Sequence, residues 1–233
     1  MCVPNLGDLK PENVMFDVLG HVRLIDFGLA KENISQSKRQ TVCGTPIYMS
    51  PEAVRCMNMG IQTTHALAND WWAFGTLIYE MVFGTPPFIA RSFDRLMAKI
   101  AADDHVSFPP SHSVSPVCTD LIQQLLVKQE DQRLGAEDST EVQRHEWFAS
   151  IDFDALYRKE LAPQYVPQHS DSPLSNFPDK LTEQEVDTAQ FQTPAKSTFR
   201  DHFKVSSLTC YITAASRQLC LSVAHCNGSV NIA

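Results

Sequence analysis

Four polar residues near the start of the chain have the types and spacing needed to handle phosphate and a metal ion. Asp8, Lys10 and Asn13 lie within DLKPEN, and Asp26 begins the tripeptide Asp-Phe-Gly. Between these motifs, short apolar runs flank a glycine turn, which predicts a β-hairpin over 14–24. Because a hairpin returns the chain to its start, the side-chain oxygens should converge beside one cation. Hard oxygen ligands of this kind are those that Mg²⁺ prefers.

The two motifs resemble the catalytic loop and the metal-binding motif of serine/threonine protein kinases in order and spacing. The resemblance implies that Asp8 accepts the proton of the substrate hydroxyl and that Lys10 steadies the transferred phosphoryl group. Asn13 and Asp26 would hold Mg²⁺ and, with Lys10, bind ATP. The implied reaction transfers the γ-phosphoryl group of Mg-ATP to serine or threonine hydroxyls of proteins. Taken singly, the motifs have plainer interpretations, because Asp-Phe-Gly occurs in ordinary turns and Asp8 could cap a loop.

The residues before Asp8 depart from the kinase pattern. Kinases of this kind carry a β-rich N-terminal lobe before the catalytic loop, with a glycine-rich loop, a strand lysine and a helix glutamate. Here MCVPNLG precedes Asp8, and Leu6-Gly7 stands where the family has His-Arg or Tyr-Arg. We therefore expect a chain without the N-terminal lobe, in which residues 1–7 are an atypical remnant. Gly7 also replaces the arginine that, by the resemblance, grips a phosphorylated activation segment.

Residues 29–52 resemble the activation segment of the AGC group of kinases. Thr41 matches the threonine that an upstream activating kinase phosphorylates in that group, and Lys31 matches a cation that contacts the phosphate. The alternative for Thr41 is an exposed loop hydroxyl without a regulatory role. Thr45 matches the residue that bonds between the catalytic aspartate and lysine and favours a serine or threonine acceptor. Ile47 replaces the usual glutamate, which leaves the peptide preference open.

Three further residues are expected to support the site without reacting. By the resemblance, Glu52 and Arg133 form a buried ion pair, and Asp70 bonds the backbone of the catalytic loop. Asp70 begins the stretch Asp70–Phe83, which is apolar almost all round and predicts a helix buried inside the lobe.

More helices should follow in order. Apolar spacing predicts one over 93–100, and Ser115-Pro116 predicts an N-cap followed by the first residue of another. Thr140 with Gln143 suggests a capping box. The predicted fold class is mainly α: a protein-kinase C-terminal lobe with a catalytic-loop β-hairpin and an irregular C-terminal tail.

Composition narrows the classes of partner. The chain has 233 residues, of which 43% are hydrophobic, and a net charge of −8, which argues against a general nucleic-acid binder. Its apolar runs are too short to predict a membrane span. Seven cysteines without a C-x-x-C pair favour reduced thiols over disulfides, and eight histidines show no metal-ligand spacing. We expect protein substrates and an upstream activating kinase as partners, and the cytoplasm, with the nucleus as a second compartment, as the location.

The resemblance divides the rest of the chain into three parts. Residues 8–148 are the kinase C-lobe, residues 149–205 are an AGC-type extension closest to that of ribosomal protein S-six kinases, and residues 206–233 are unassigned and expected to be disordered. A second function, from a different class, is a non-catalytic interaction module derived from a kinase. That alternative stays open because a chain without the N-terminal lobe would hold ATP weakly.

Overall fold

The computed structural model describes residues 6–30, 45–59, 66–102, 105–110 and 114–168. These residues form one two-stranded sheet and six α-helices, joined by loops and single 3₁₀ turns. In chain order the elements are β1 Val14–Phe16, β2 Val22–Leu24, α1 Pro51–Met59, α2 Ala66–Phe83, α3 Phe93–Ala101, α4 Pro116–Leu125, α5 Thr140–Arg144 and α6 Phe153–Tyr157. The predicted fold class, mainly α with one small hairpin, is confirmed.

The hairpin forms where the sequence pattern places it. Strands β1 and β2 pair antiparallel, with Met15 opposite Arg23. The turn is closed by Asp17, whose Oδ1 accepts the backbone N–H groups of Leu19 at 3.0 Å and His21 at 2.9 Å. A side-chain carboxylate that satisfies turn N–H groups in this way is a common use of aspartate.

Helix α2 is the centre of the core. Trp72, Phe74 and Ile78 along it are completely buried, as the apolar composition predicts. The helix begins at Ala66, four residues before the predicted start at Asp70. Alanine and leucine in this first turn are strong helix formers, although the continuous apolar run begins only after Asp70. Among the described residues, no helix combines the length and the apolar composition needed to cross a bilayer.

Helix α4 packs directly on α2. Gly75 of α2 permits this contact, because a Cβ there would lie 2.8 Å from the Cβ of Leu125. Two helices can approach this closely only where one of them lacks a side chain.

The predicted N-terminal cap is present on α4 and absent from α5. Ser115 caps α4, and its Oγ accepts the backbone N–H of Cys118 at 3.2 Å, as predicted. The capping box of Thr140 and Gln143 is wrong. Instead, the Asp138 carboxylate accepts both the backbone N–H of Thr140 at 2.9 Å and its hydroxyl at 2.5 Å. Asp138 thus takes the Thr140 N–H that the Gln143 side chain would have accepted, and it makes a donor of the hydroxyl that a capping box uses as an acceptor.

Candidate active site

Asp8, Lys10 and Thr45 form a hydrogen-bonded triangle. The Nζ of Lys10 donates to Asp8 Oδ2 at 2.7 Å and to Thr45 Oγ1 at 3.0 Å. The Thr45 hydroxyl lies 3.2 Å from Asp8 Oδ1, to which it donates, and the Thr45 backbone N–H donates to the same oxygen at 3.0 Å. Two sequence motifs more than thirty positions apart therefore meet at one carboxylate. The structure brings these three predicted site residues together, and their catalytic roles stay predictions.

Asn13 and Asp26 lie at the open end of the hairpin. The Nδ2 of Asn13 donates to the Asp8 backbone carbonyl at 2.8 Å, which fixes the amide group in the loop. The Asn13 carbonyl accepts the N–H of Ile25 at 3.0 Å, so the residue before Asp26 is bonded to Asn13 itself. Asp26 has φ +59, and its Oδ1 accepts the N–H of Gly28 at 3.1 Å. A non-glycine residue in this left-handed region is uncommon and is concentrated at functional sites.

Two opposite charges dominate the electrostatics of the triangle. Burial raises the pKa of Asp8, but the donors from Lys10 and Thr45 outweigh burial and hold the pKa below its ordinary value of 3.8. The hydrogen bond to Asp8 raises the pKa of Lys10, partial burial opposes it, and the charge of Asp26 adds a smaller increase. Both groups are therefore charged at neutral pH, and the carboxylate acts as an acceptor only.

Asp70 ties the catalytic loop to α2. Its Oδ2 accepts the backbone N–H of Leu6 at 2.7 Å, and its Oδ1 accepts that of Gly7 at 3.0 Å. The side chain is buried, and burial raises its pKa to about 6 against the lowering effect of the two N–H bonds. Gly7 has φ +75, and a Cβ there would lie 3.3 Å from the carbonyl oxygen of Leu29. The anchored backbone thus adopts a conformation that suits glycine.

Glu52 and Arg133 are in contact as the sequence predicts. Two bonds join them, at 2.5 Å from Nη1 to Oε1 and 2.9 Å from Nη2 to Oε2. Arg133 also donates from Nε to the carbonyl of Val127 at 3.0 Å and from Nη1 to that of Ala68 at 2.7 Å. The guanidinium lies over the Trp72 ring, 5.1 Å from its centroid. One side chain therefore connects α1, α2 and the loop after α4.

The sequence analysis missed two bonds between the segment after Thr45 and α2. Tyr48 donates to Glu80, and Ser50 donates to Asn69. Burial and the bond to Glu80 raise the pKa of Tyr48, which keeps the hydroxyl a neutral donor. A glutamate inside a largely apolar helix was the available signal, because a carboxylate that is partly removed from water favours a hydrogen-bond donor.

The predicted activation phosphosite and its predicted phosphate contact belong to the segment between Ala30 and Thr45. Thr41 and Lys31 lie outside the described residues, as do residues 169–233. The predictions of an activation phosphosite, its phosphate contact and the last part of the tail therefore stay predictions.

The donor atoms at the hairpin end fit a hard divalent cation. The NH₂ group of Asn13 is used by the Asp8 carbonyl, which leaves its amide oxygen to bind a metal ion. Asp26 is exposed and adds a carboxylate. Among the described residues, no group of three His, Cys, Asp or Glu side chains could hold an ion. One carboxylate and one amide oxygen match the way in which Mg²⁺ binds together with phosphates and water.

Comparison with known proteins adds a decisive observation. Residues 7–148, more than half of the chain, match the family model of the protein kinase domain. The chain belongs to the protein kinase family. The match spans the triangle, the hairpin, Asp70 and the Glu52–Arg133 pair of this kinase.

Relatives of this chain include serine/threonine kinases of the AGC group, as the resemblance predicted. It is 38% identical over 161 residues to Protein kinase 2 of Dictyostelium discoideum, an alignment that covers 69% of this chain and 32% of the relative. It is 36% identical over 190 residues to Serine/threonine-protein kinase Sgk2 of Homo sapiens, an alignment that covers 80% of this chain and 49% of the relative. It is 38% identical over 161 residues to Ribosomal protein S6 kinase alpha-6 of Mus musculus, an alignment that covers 69% of this chain and 20% of the relative. The kinase thus spans less than half of the length of each of these relatives.

Proposed function

We propose that this kinase transfers the γ-phosphoryl group of Mg-ATP to serine and threonine hydroxyls of protein substrates. The observation that carries the proposal is the triangle of Asp8, Lys10 and Thr45, because it combines a charged acceptor, a cation and a hydroxyl at one point. Phosphoryl transfer depends mainly on positioning and on neutralising charge, which are the two things that this triangle supplies.

Asp8 is the proposed acceptor of the substrate proton. Four donors from the described residues already surround its carboxylate: the N–H and hydroxyl of Thr45 on Oδ1, and Lys10 and Asn13 on Oδ2. The weakest contact is that of Asn13 Nδ2, at 3.5 Å. We expect the substrate hydroxyl to take this place on Oδ2, since displacing the longest bond costs least. The low pKa of Asp8 suits an acceptor that orients the hydroxyl and receives its proton late in the reaction.

Lys10 is the proposed cation for the transferred group. Its ammonium is held by Asp8 and Thr45, so it needs no rearrangement to meet negative charge that develops nearby. Asn13 and Asp26 are the residues that would hold Mg²⁺, which when bound neutralises phosphate oxygens. Thr41, as the target of an upstream kinase with Lys31 as its phosphate contact, belongs to the proposal on the strength of the sequence resemblance.

The test is a transfer assay with three peptides. The kinase is incubated with Mg-ATP and equal amounts of peptides that differ only in a serine, threonine or tyrosine acceptor, and the phosphopeptides are measured by mass spectrometry. We expect transfer to serine and threonine, and a loss of about 100-fold or more in Asp8→Asn. The control is Asp120→Asn, an exposed aspartate of α4 that bonds His145, which should leave the rate unchanged. A wild-type rate in Asp8→Asn would contradict the proposal.

The same assay decides on the non-catalytic interaction module. Gly7, in place of the arginine of the activation mechanism, is the feature that favours this alternative. If fluorescence anisotropy on the same samples shows peptide binding while the transfer assay shows no phosphopeptide, the chain belongs to the non-catalytic class.

A further inference from the structure

The chain after α6 returns to the hairpin that carries the metal-site residues. Residues 163–167, here called the tail strap, cross the turn of the hairpin at Gly20. A Cβ on Gly20 would lie 2.1 Å from the carbonyl oxygen of Tyr165 and 2.9 Å from the Cβ of Pro163. Real Cβ atoms essentially never approach other atoms this closely, so the backbone of the strap occupies the space that any other residue at position 20 would need. With φ +85, Gly20 also adopts a backbone conformation that favours glycine.

A ring contact fixes the strap at a second point. The rings of Tyr165 and Phe16 meet edge to face, with centroids 5.3 Å apart and planes inclined at 66°. Phe16 is the last residue of β1, and both rings are partly exposed, at 44% for Tyr165 and 42% for Phe16. An edge-to-face pair of this kind contributes favourably beyond the area that it buries. The strap therefore contacts both the turn and the end of a strand.

The hairpin is too small to hold its shape unaided. Each strand has three residues, and an isolated two-stranded hairpin is marginally stable at best. Val22, with Val14 and Leu24 beside it, packs one face of the hairpin against the core. Phe16 and Gly20, at the turn end of the hairpin, contact the strap. The open end of the hairpin carries the metal-site residues, since Asn13 directly precedes β1 and Asp26 follows β2 after one intervening residue, Ile25.

We propose that Tyr165 is a positioning residue for the metal site, and that the tail strap holds the hairpin so that Asn13 and Asp26 keep their relative placement. This inference rests on the proposed function, in which these two residues hold the divalent cation. The contacts that the structure gives the strap are with Gly20 and Phe16, so the strap would act on the site through the hairpin. Loss of the strap should therefore weaken cation binding while the rest of the lobe stays folded.

The test measures cation binding and does not depend on turnover. The probe is Mn²⁺ with ATP, and the readout is paramagnetic broadening of the side-chain amide signals of Asn13 and the backbone amide signal of Gly28 in NMR spectra. Tyr165→Ala and Gly20→Ala should raise the apparent Kd about 3- to 10-fold, less than the 10- to 100-fold that is typical of residues bonded to a metal ligand. In both variants the backbone amides at positions 17 and 20, which bond within the turn, should exchange faster with deuterium.

Matched variants separate positioning from a general loss of structure. Tyr165→Phe keeps the ring contact and should restore the wild-type Kd. Tyr157→Ala removes an exposed tyrosine of α6 and should have no effect on the Kd. The thermal unfolding midpoint of each variant shows whether the lobe is folded. If Tyr165→Ala does not fold, Gly20→Ala tests the same contact between strap and turn by changing the hairpin partner.

Two results would overturn the proposal and are distinguishable. If the wild type shows the broadening and Tyr165→Ala and Gly20→Ala bind Mn²⁺ with ATP equally well, the strap does not position the site, and the proposed function stands. If the wild type itself shows no broadening at Asn13 and Gly28, the assigned metal site is wrong, and the positioning role fails with it. A raised Kd in Tyr165→Phe would also contradict the positioning role of Tyr165, because the ring contact with Phe16 needs no hydroxyl.

Discussion

Arg133 and Glu52 form a two-bond ion pair across 81 positions of the chain, and both side chains are almost completely buried. Removing one partner leaves the other as an unpaired buried charge. We therefore expect Arg133→Met to lower the free energy of unfolding by about 3–5 kcal/mol in urea titrations. The double variant Glu52→Met with Arg133→Met should recover part of that loss, because it leaves no unpaired charge.

An exposed ion pair in the hairpin provides the control for this prediction. Arg23 bonds Asp17 at 2.9 Å, but its side chain is half exposed. Arg23→Met should lower the free energy of unfolding by less than about 1 kcal/mol, because solvent screens such a pair. If Arg133→Met and Arg23→Met lower the free energy of unfolding equally, burial does not determine how much the Glu52–Arg133 pair contributes to stability.

Asp70 should give the stability of the kinase a specific pH dependence. Its folded-state pKa is about 6, above the ordinary 3.8, chiefly because it is buried. Between these two values the folded protein binds more protons than the unfolded chain does. The stability that this group contributes is therefore fully present below about pH 4 and is lost as the pH rises through 6, a change of about 3 kcal/mol.

The measurement is the difference in unfolding free energy between wild type and Asp70→Asn from pH 4 to pH 7. We expect this difference to decrease by about 2 kcal/mol over the range, because asparagine has no proton to release and part of the full change lies below pH 4. Asp154→Asn, at an exposed position of α6, should show no such trend. A difference that grows with pH would mean that the pKa of Asp70 is lowered in the folded state.

Lys10 should control the acidity of Asp8. The hydrogen bond and the charge of Lys10 lower the pKa of Asp8 against the opposing effect of burial. Lys10→Met should therefore raise the pKa of Asp8, measured from the ¹³C chemical shift of its carboxyl group during a pH titration. Lys99→Met is the control, because Lys99 donates to the carbonyl of Ile89 at a different place in the fold. If the pKa of Asp8 stays the same or falls in Lys10→Met, the bond at the centre of the triangle is not formed in solution.

Local sequence patterns predicted the parts of the fold that depend on neighbouring residues. The hairpin over 14–24 and the Ser115 cap both follow from short-range alternation or a single side-chain bond. The Asp8 motif and the Glu52–Arg133 pair were predicted because a family resemblance supplied the long-range contact that spacing alone does not contain. Local signals were least reliable where two residues compete for one donor, as where Asp138 takes the donors of Thr140.

The features that sequence reasoning missed depend on contacts between distant segments. The bond from Tyr48 to Glu80 and the strap of Tyr165 over Gly20 join parts of the chain that no periodic pattern connects. The early start of α2 at Ala66 was missed because polar Asn69 and Asp70 interrupt the apolar pattern there. Packing decides each of these features, and packing is a property of the whole chain.

Thr76 should be a position where a substitution stabilises the kinase. It lies in the middle of α2, is completely buried, and its hydroxyl has no hydrogen-bond partner among the described residues. A buried hydroxyl without a partner pays the cost of losing water, so Thr76→Val, which has nearly the same shape, should raise the free energy of unfolding by about 1 kcal/mol. The control is Thr119→Val, because the Thr119 hydroxyl donates to the carbonyl of Ser115 at 3.4 Å, and its removal should give no increase. A lower unfolding free energy for Thr76→Val in urea titrations would show that the hydroxyl has a partner, such as a buried water molecule, inside the folded protein.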